Sequence, residues 1–219
     1  MISVADLIEE STFSGNYFAS DVYVRGDFES GLIENRLGKR LLALPNTLLK
    51  GIYSALVSEV GPAAGMVLYN CGSNWGKNFY RRFSEEISNY YQKPVSDMEM
   101  IQLVQCLKQC WKAHGWGTLE LNCDYYQQGF LIVEIQHSAF ASVAQSSERP
   151  SCFLEAGLLS AFFSQLSGTN LDCVQTACES LGANSNLFVL GLAQRLKPAE
   201  TMIEEGESHS AILQRLCSN

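Results

Sequence analysis

Residues 149–192 read RPSCFLEAGLLSAFFSQLSGTNLDCVQTACESLGANSNLFVLGL, and the punctuation of this stretch decides the fold. Pro150 and Ser151 open an apolar helix and Gly168 closes it, since proline suits the first turn and glycine the position just past the end. Two short apolar runs follow, 171–177 and 187–192, with Gly-Ala-Asn-Ser-Asn at 182–186 as the turn between them. Each is short enough to be a buried strand. A helix that feeds a hairpin predicts an α+β protein.

Working upstream, residues 118–124 alternate Leu119, Leu121 and Cys123 with polar residues, the pattern of a half-buried antiparallel strand. Residues 130–137 place Leu131, Val133, Ile135 and His137 on one face. Helices are expected over 46–60 with Leu48, Leu49, Ile52, Leu56 and Val60 as the apolar stripe, over 62–91, and over 96–115 with Ser96 as its cap. The fold class is therefore α+β, an antiparallel sheet of about four to five strands packed by helices. A helix over 4–10 and a polar stretch make residues 1–30 an N-terminal extension, which Tyr17, Phe18, Val22 and Tyr23 anchor to the body. Residues 31–197 form the domain, 142–148 a loop or lid, and 198–219 an acidic C-terminal tail with a short amphipathic helix.

Gly65, Gly72 and Gly76 fall within an arc of about 40° on the 62–91 helix. A helical glycine costs about 1 kcal/mol relative to alanine, so three on one face indicate a close approach. Tyr69, Phe79, Tyr80 and Phe83 fall on or beside that face: either another element packs tightly there, or a flat ligand lies over the glycines between aromatic walls. His137, at the end of an apolar row, is either a satisfied structural residue or an axial ligand for a tetrapyrrole metal. His114 and His209 read as surface residues. Glu155, in the first turn of its helix, suits the helix dipole, or else faces a cavity as a ligand-orienting or proton-handling group. Cys106 and Cys110 sit one turn apart and read first as small buried hydrophobes.

The chain has 219 residues, a net charge of −8 and eight cysteines. An acidic balance without clustered Lys and Arg excludes broad nucleic-acid binding. No uninterrupted apolar run reaches the roughly 18 to 20 residues of a membrane span, and the acidic start lacks the basic residues of a signal peptide. A cytoplasmic location with reduced cysteines is expected. Phosphate-loop, dinucleotide, serine-elbow and paired-histidine zinc signatures are missing from the sequence, and no site for an electron-carrying cofactor is recognisable.

The series Cys152, Glu155-Ala156-Gly157-Leu158-Leu159-Ser160, Cys173, Cys178, Gly182 and Phe188 resembles the C-terminal part of four-vinyl-reductase-type (vinyl-4-reductase) small-ligand-binding domains. Arg36-Leu37-Gly38, Ala43-Leu44-Pro45, Gly61, Gly65, Tyr69-Asn70-Cys71-Gly72 and Trp75-Gly76 resemble the cyanobacterial forms, extending the likeness over roughly residues 30 to 192. The resemblance implies kinship with the ligand-binding domains of haem nitric-oxide sensors and Golgi transport-particle subunits. It also implies a non-enzymatic module for a tetrapyrrole, a chlorophyll precursor or chlorophyll, in pigment delivery or photosystem II assembly. The ligand residues would be Gly72, Trp75, Gly76, Phe79, His137, Glu155, Phe162 and Phe163. Partners would be photosystem subunits or assembly proteins, and a homodimer or a peripheral contact with the photosynthetic membrane stays open. A scaffold with a vestigial pocket, and a tetrapyrrole vinyl reductase with an external electron donor, are the alternatives. The family pattern places cysteines near Cys152 and Cys178 and another after the Gly182 turn, a metal site in some members; Asn186 stands where that last cysteine is looked for, and Cys173 is an extra thiol. Buried, metal-free cysteines are the first reading, zinc on Cys152, Cys173 and Cys178 the second. A bulge would be needed to bring Cys173 and Cys178 to one face.

Overall fold

The computed structural model describes residues 15–143 and 149–218. The expected helix over 4–10 and most of the expected lid lie outside the described residues. Four strands form the main sheet: β4 (Thr118–Asn122), β5 (Leu131–Gln136), β6 (Asp172–Ala177) and β7 (Asn186–Gly191), in the order β4-β5-β7-β6 with all neighbours antiparallel. Alternation puts Leu119, Val133, Ile135, Phe188 and Leu190 on the inner face, in the main core. Ile132 and Val189 point the other way, into a second core.

The inner face is covered by three helices: α3 (Ala64–Tyr91), α4 (Met100–Ala113) and α5 (Phe153–Ser167). The outer face is covered by α6 (Ala193–Glu204) and α7 (His209–Ser218), which bury Leu196, Met202, Ile212 and Leu216. The stretch beyond residue 198 thus packs on the sheet, and α6 runs through Pro198 without a break. A second, smaller sheet precedes these helices; the sequence indicates its last strand, over 40–44 and stopped by Pro45, but not the other two. A short turn of helix, α1 (Ser20–Tyr23), leads into a three-stranded antiparallel sheet of β1 (Val24–Asp27), β2 (Leu32–Asn35) and β3 (Arg40–Leu41). Tyr17, Phe18 and Tyr23 anchor this segment in the main core, and Val22 stays partly exposed. Glu86 of α3 receives the Asn35 amide at 2.8 Å and the Tyr23 hydroxyl at 3.4 Å.

Ser96 is not the cap of α4. It lies in a separate 3-10 turn (Val95–Asp97), and Glu99 precedes the helix. The preceding helix, α2 (Asn46–Val60), also departs from expectation. Leu49, Tyr53 and Leu56 face inward, against Leu68, Val143 and Leu154. Leu48, Ile52 and Val60, expected in the stripe, remain exposed. The helix touches the body along one narrow line, too thin to cover its whole apolar arc. The helical run Asn46–Tyr91 contains a window of mean hydropathy 1.3 that is only 17% buried, long and apolar enough to cross a membrane by length and composition. Polar residues interrupt that run, so a search for uninterrupted apolar stretches passes over it. One such helix does not identify a membrane protein.

The three glycines of α3 resolve as a helix contact. A Cβ on Gly72 would stand 2.0 Å from the Leu154 carbonyl oxygen, and one on Gly76 2.5 Å from that of Leu158. On the partner helix, a Cβ on Gly157 would stand 2.1 Å from the Tyr69 carbonyl oxygen. The backbones of α3 and α5 therefore touch, and the face expected to hold a flat ligand is filled by α5.

Gly72→Ala or Gly157→Ala should lower the unfolding free energy by about 3 kcal/mol or more, because rigid backbone must move. Gly51→Ala on α2, where a Cβ meets nothing within 4 Å, should raise it by up to about 1 kcal/mol. Urea denaturation of the three variants measures both effects.

Candidate functional site

The expected ligand residues separate into two groups. Phe79, Phe162 and Phe163 are core residues, with Phe79 and Phe162 centroids 5.3 Å apart. Trp75 is half-buried and packs edge-on against Trp116 at 5.0 Å and Phe140 at 5.6 Å. With Gly72 and Gly76 under α5, this group forms closed packing. His137 and Glu155 lie elsewhere, at the end of the sheet where β5, the β6–β7 hairpin and the start of α5 meet.

His137 does not extend the apolar row. β5 stops at Gln136, His137 takes a left-handed φ of 56°, and its side chain is exposed. Glu179 enforces that stop. Its carboxylate accepts the amides of His137 at 2.8 Å and Ser138 at 3.2 Å, and the Asn186 side-chain amide at 2.6 Å. Asn186 in turn donates to the Ile135 carbonyl at 3.2 Å and accepts from Gln175 at 3.2 Å, and Gln175 accepts the Cys152 amide at 2.9 Å. Gln175 and Asn186 are both buried, so each polar atom requires such a partner. Asn186, at the place of the missing cysteine, is a hydrogen-bonding node.

Glu155 is fully buried, and desolvation pushes its carboxyl up to about 8 against the ordinary 4.5, with Cys178 and Glu179 adding to the rise. Desolvation outweighs the helix-dipole benefit expected for a first-turn carboxylate, so the group is largely neutral at pH 7. Ser138 fixes the proton's position. Its oxygen accepts the Phe140 and Ala141 amides, both at 3.1 Å, so its hydrogen goes to Glu155 Oε2 at 2.9 Å. The Glu155 proton then resides on Oε1, which has no partner among the described residues. The Tyr53 hydroxyl of α2 is buried without a partner as well, and burial raises its pKa, with smaller effects from Cys152, Glu155 and Cys71. Two unsatisfied polar groups thus face the interior between α2 and α5.

Ser138, though buried, borders an open cleft. The cleft, of about 950 Å³, runs between α2 and the 137–142 loop, lined by Asn46, Lys50, Ser54, His137, Ser138 and Glu179 among others. It is broad, open and largely polar. Of the residues expected to bind ligand, His137 lines it directly, and Glu155 lies behind it through Ser138.

The expected cysteine metal site does not assemble: among the described residues no three His, Cys, Asp or Glu come together to hold an ion. Cys152 and Cys178 approach to 3.8 Å, and Cys173 does not join them; its amide lies against the Tyr69 hydroxyl at 3.4 Å. The bulge needed for a common face is present, as the β6 register shifts between Gln175 and Ala177. All three thiols reach the main core, but five residues of separation still keep Cys173 away from the pair. Either sulfur can donate in this contact, and it lowers the Cys178 thiol while raising that of Cys152, which burial raises further. Cys106 and Cys110 are fully buried in α4, as small hydrophobes would be.

The other two histidines are not surface residues. Burial lowers His114 to about 4, with its Nδ1 against the Cys110 carbonyl at 2.8 Å and its Nε2 beside the Arg82 guanidinium at 2.9 Å. His209, half-buried, meets the Thr176 hydroxyl at 2.7 Å.

The sequence reading missed Ser138, Glu179, Gln175 and Tyr53. Gln175, polar within an apolar strand, carried the one visible signal.

The V4R domain matches residues 131–192. That match spans β5 through β7 and so contains Ser138, Glu155, Glu179 and Asn186; the upstream likeness from residue 30 lies outside it. Among solved structures, the chain is similar to the phenol-responsive sensory domain of the transcription activator PoxR with phenol, at 14% identity over 87% of this chain and 98% of that one, TM-score 0.63. It is also similar to a vinyl-4-reductase family protein from Methanocaldococcus jannaschii (16% identity, 68% and 82% covered, TM-score 0.45). A third is a trafficking protein particle complex subunit 3 from Naegleria fowleri covalently bound to palmitic acid (13% identity, 67% and 94% covered, TM-score 0.48). No curated protein matches the chain in sequence. The likeness to the PoxR sensory domain is one of fold: α+β, with an antiparallel sheet packed by helices.

The pH dependence of stability tests Glu155. Between about 4.5 and 8 the native state holds a proton that the unfolded chain has released, so this group's contribution falls as pH rises through that window. Glu155→Gln should remove that component. The variant should lose less stability than the parent between pH 5 and 8, by up to a few kcal/mol. Parallel urea titrations across that range measure the difference, and equal slopes would mean that Glu155 is ionised in the native protein.

Proposed function

We propose that this chain is a non-enzymatic binding module for a small ligand that bears a polar or anionic group and enters the cleft between α2 and the 137–142 loop. The observation that carries the reading is Ser138, which lines that cleft and also donates to the buried, neutral Glu155. A ligand reaching Ser138 would meet a loop already fixed by the Glu179–Asn186 network, so little ordering remains to be done on binding. Lys50 on α2 suits a carboxylate. The volume is within the range of small-molecule sites. The ligand class we favour is a tetrapyrrole with a free carboxylate, such as a chlorophyll precursor. It rests on the resemblance to cyanobacterial vinyl-4-reductase-type domains, and it places the protein in pigment delivery or photosystem II assembly. In this reading His137, exposed at the lip of the cleft, meets the macrocycle from outside the core.

A second reading is favoured by a different observation. Leu44, Leu48 and Ile52 form an exposed apolar row along and before α2, which suits a scaffold that acts through protein contacts at that helix.

Purified full-length chain titrated with chlorophyllide, protochlorophyllide and haem separates the two readings, with tryptophan quenching and pigment absorption as readouts. Saturable one-to-one binding is expected, weakened about tenfold or more by Lys50→Glu and blocked by Ser142→Trp at the cleft rim. Absence of saturable binding, or binding indifferent to both substitutions, would transfer the weight to the scaffold reading.

A further inference from the structure

The buried pair Cys152–Cys178 has no part in the cleft. Cys152 sits at the residue before α5, and Cys178 follows the end of β6. Their sulfurs are 3.8 Å apart, each residue is 1% exposed, and neither belongs to a group able to hold a metal among the described residues. The Ser180 hydroxyl stands 3.0 Å from the Cys178 sulfur. Cys178, but not Cys152, lines a small surface groove of about 200 Å³, together with Pro150, Thr176, Leu181 and Ala183. Cys178 thus borders the groove with almost no exposed surface, so a peroxide reaches its sulfur only as the groove breathes, and Cys152 lies behind it.

We propose that Cys152 and Cys178 form a reversible disulfide when the protein meets a hydroperoxide. Cys178, at the groove, attacks the peroxide. A sulfur–oxygen bond forms, the oxygen–oxygen bond breaks, and the first water leaves with the thiol proton. Cys152 then attacks the Cys178 sulfur. The disulfide forms, the sulfur–oxygen bond breaks, and a second water carries away the Cys152 proton. Two thiols are oxidised and one hydrogen peroxide is reduced to two waters.

The geometry suits closure. The sulfurs must approach to about 2.05 Å, and the strain of that movement falls where the backbone is least regular. Cys152 has φ −77° and ψ 54°, outside the helix it precedes, and Cys178 lies beyond the β6 bulge. Neither a helix turn nor a ladder bond of a regular strand has to break. The closed bond joins the start of α5 to the end of β6, two elements otherwise held at this point by the Cys152–Gln175 hydrogen bond.

The experiment uses the reduced full-length chain, with and without prior treatment by a chelator. It is exposed to graded hydrogen peroxide, unfolded, alkylated and mapped by mass spectrometry. The expected result is a linked peptide pair carrying residues 152 and 178, lighter by two hydrogens (about 2 Da) and restored by dithiothreitol. It should appear before Cys71 and Cys123, the exposed thiols, are consumed. In Cys152→Ser, Cys178 should instead accumulate as a sulfenic acid that dimedone traps. The wild-type map stands even if that variant folds poorly. Full alkylation of residues 152 and 178 while the exposed thiols oxidise would overturn the proposal. So would protection of the pair that only the chelator relieves, which would mark a metal site.

Discussion

The backbone contact between α3 and α5 is the constraint on which the remainder of the structure depends. Two helices can approach closely only where side chains vanish from both surfaces, and Gly72, Gly76 and Gly157 remove them in register. That contact sets the position of α5 above the sheet. It directs Phe162 toward Phe79 and Phe83 and leaves the first turn of α5, with Cys152 and Glu155, at the end of the sheet. The polar cluster is therefore placed by a helix contact that begins at Leu154, next to Glu155 itself. A shift of α5 along α3 would carry Glu155 off Ser138 as surely as a substitution at either residue.

The polar cluster itself joins segments distant in the chain. Glu179, Asn186, Gln175 and Ser138 satisfy one another and the loop amides almost completely, while Glu155 and Tyr53 retain unpaired atoms inside the protein. Completed networks fix geometry, and incomplete ones cost free energy unless something else supplies the missing partner. The contrast between the satisfied outer ring and the unsatisfied inner pair separates the part that builds the site from the part available for recognition.

Much of this was legible in the residues. The four strands and the α5 helix follow from alternation and from Pro150 and Gly168. The glycine face announced a close approach, although periodicity cannot name the partner that approaches. His137 was misplaced because a period-2 pattern says nothing about where pairing stops, and here the stop is imposed by a carboxylate 42 residues away. His114 and His209 looked superficial because the residues that bury them, Arg82 and Cys110 in one case and Thr176 in the other, are assembled only by the fold. Of the small β1–β2–β3 sheet only β3 was legible, from the run that Pro45 stops; β1 is exposed along its whole length and carries no apolar alternation. Glu155 was visible as a polar residue in an apolar arc. Its neutral state was not, since that depends on how completely water is excluded.

The bulge in β6 has a consequence beyond the cysteines. β6 is an outer strand of the main sheet, and an outer strand exposes a row of unpaired amides and carbonyls to any extended chain nearby. The register break between Gln175 and Ala177 interrupts that row near its end. An incoming strand would find its hydrogen bonds out of step there. The irregularity that turns Cys178 inward thus also guards the sheet against growing from one molecule into the next.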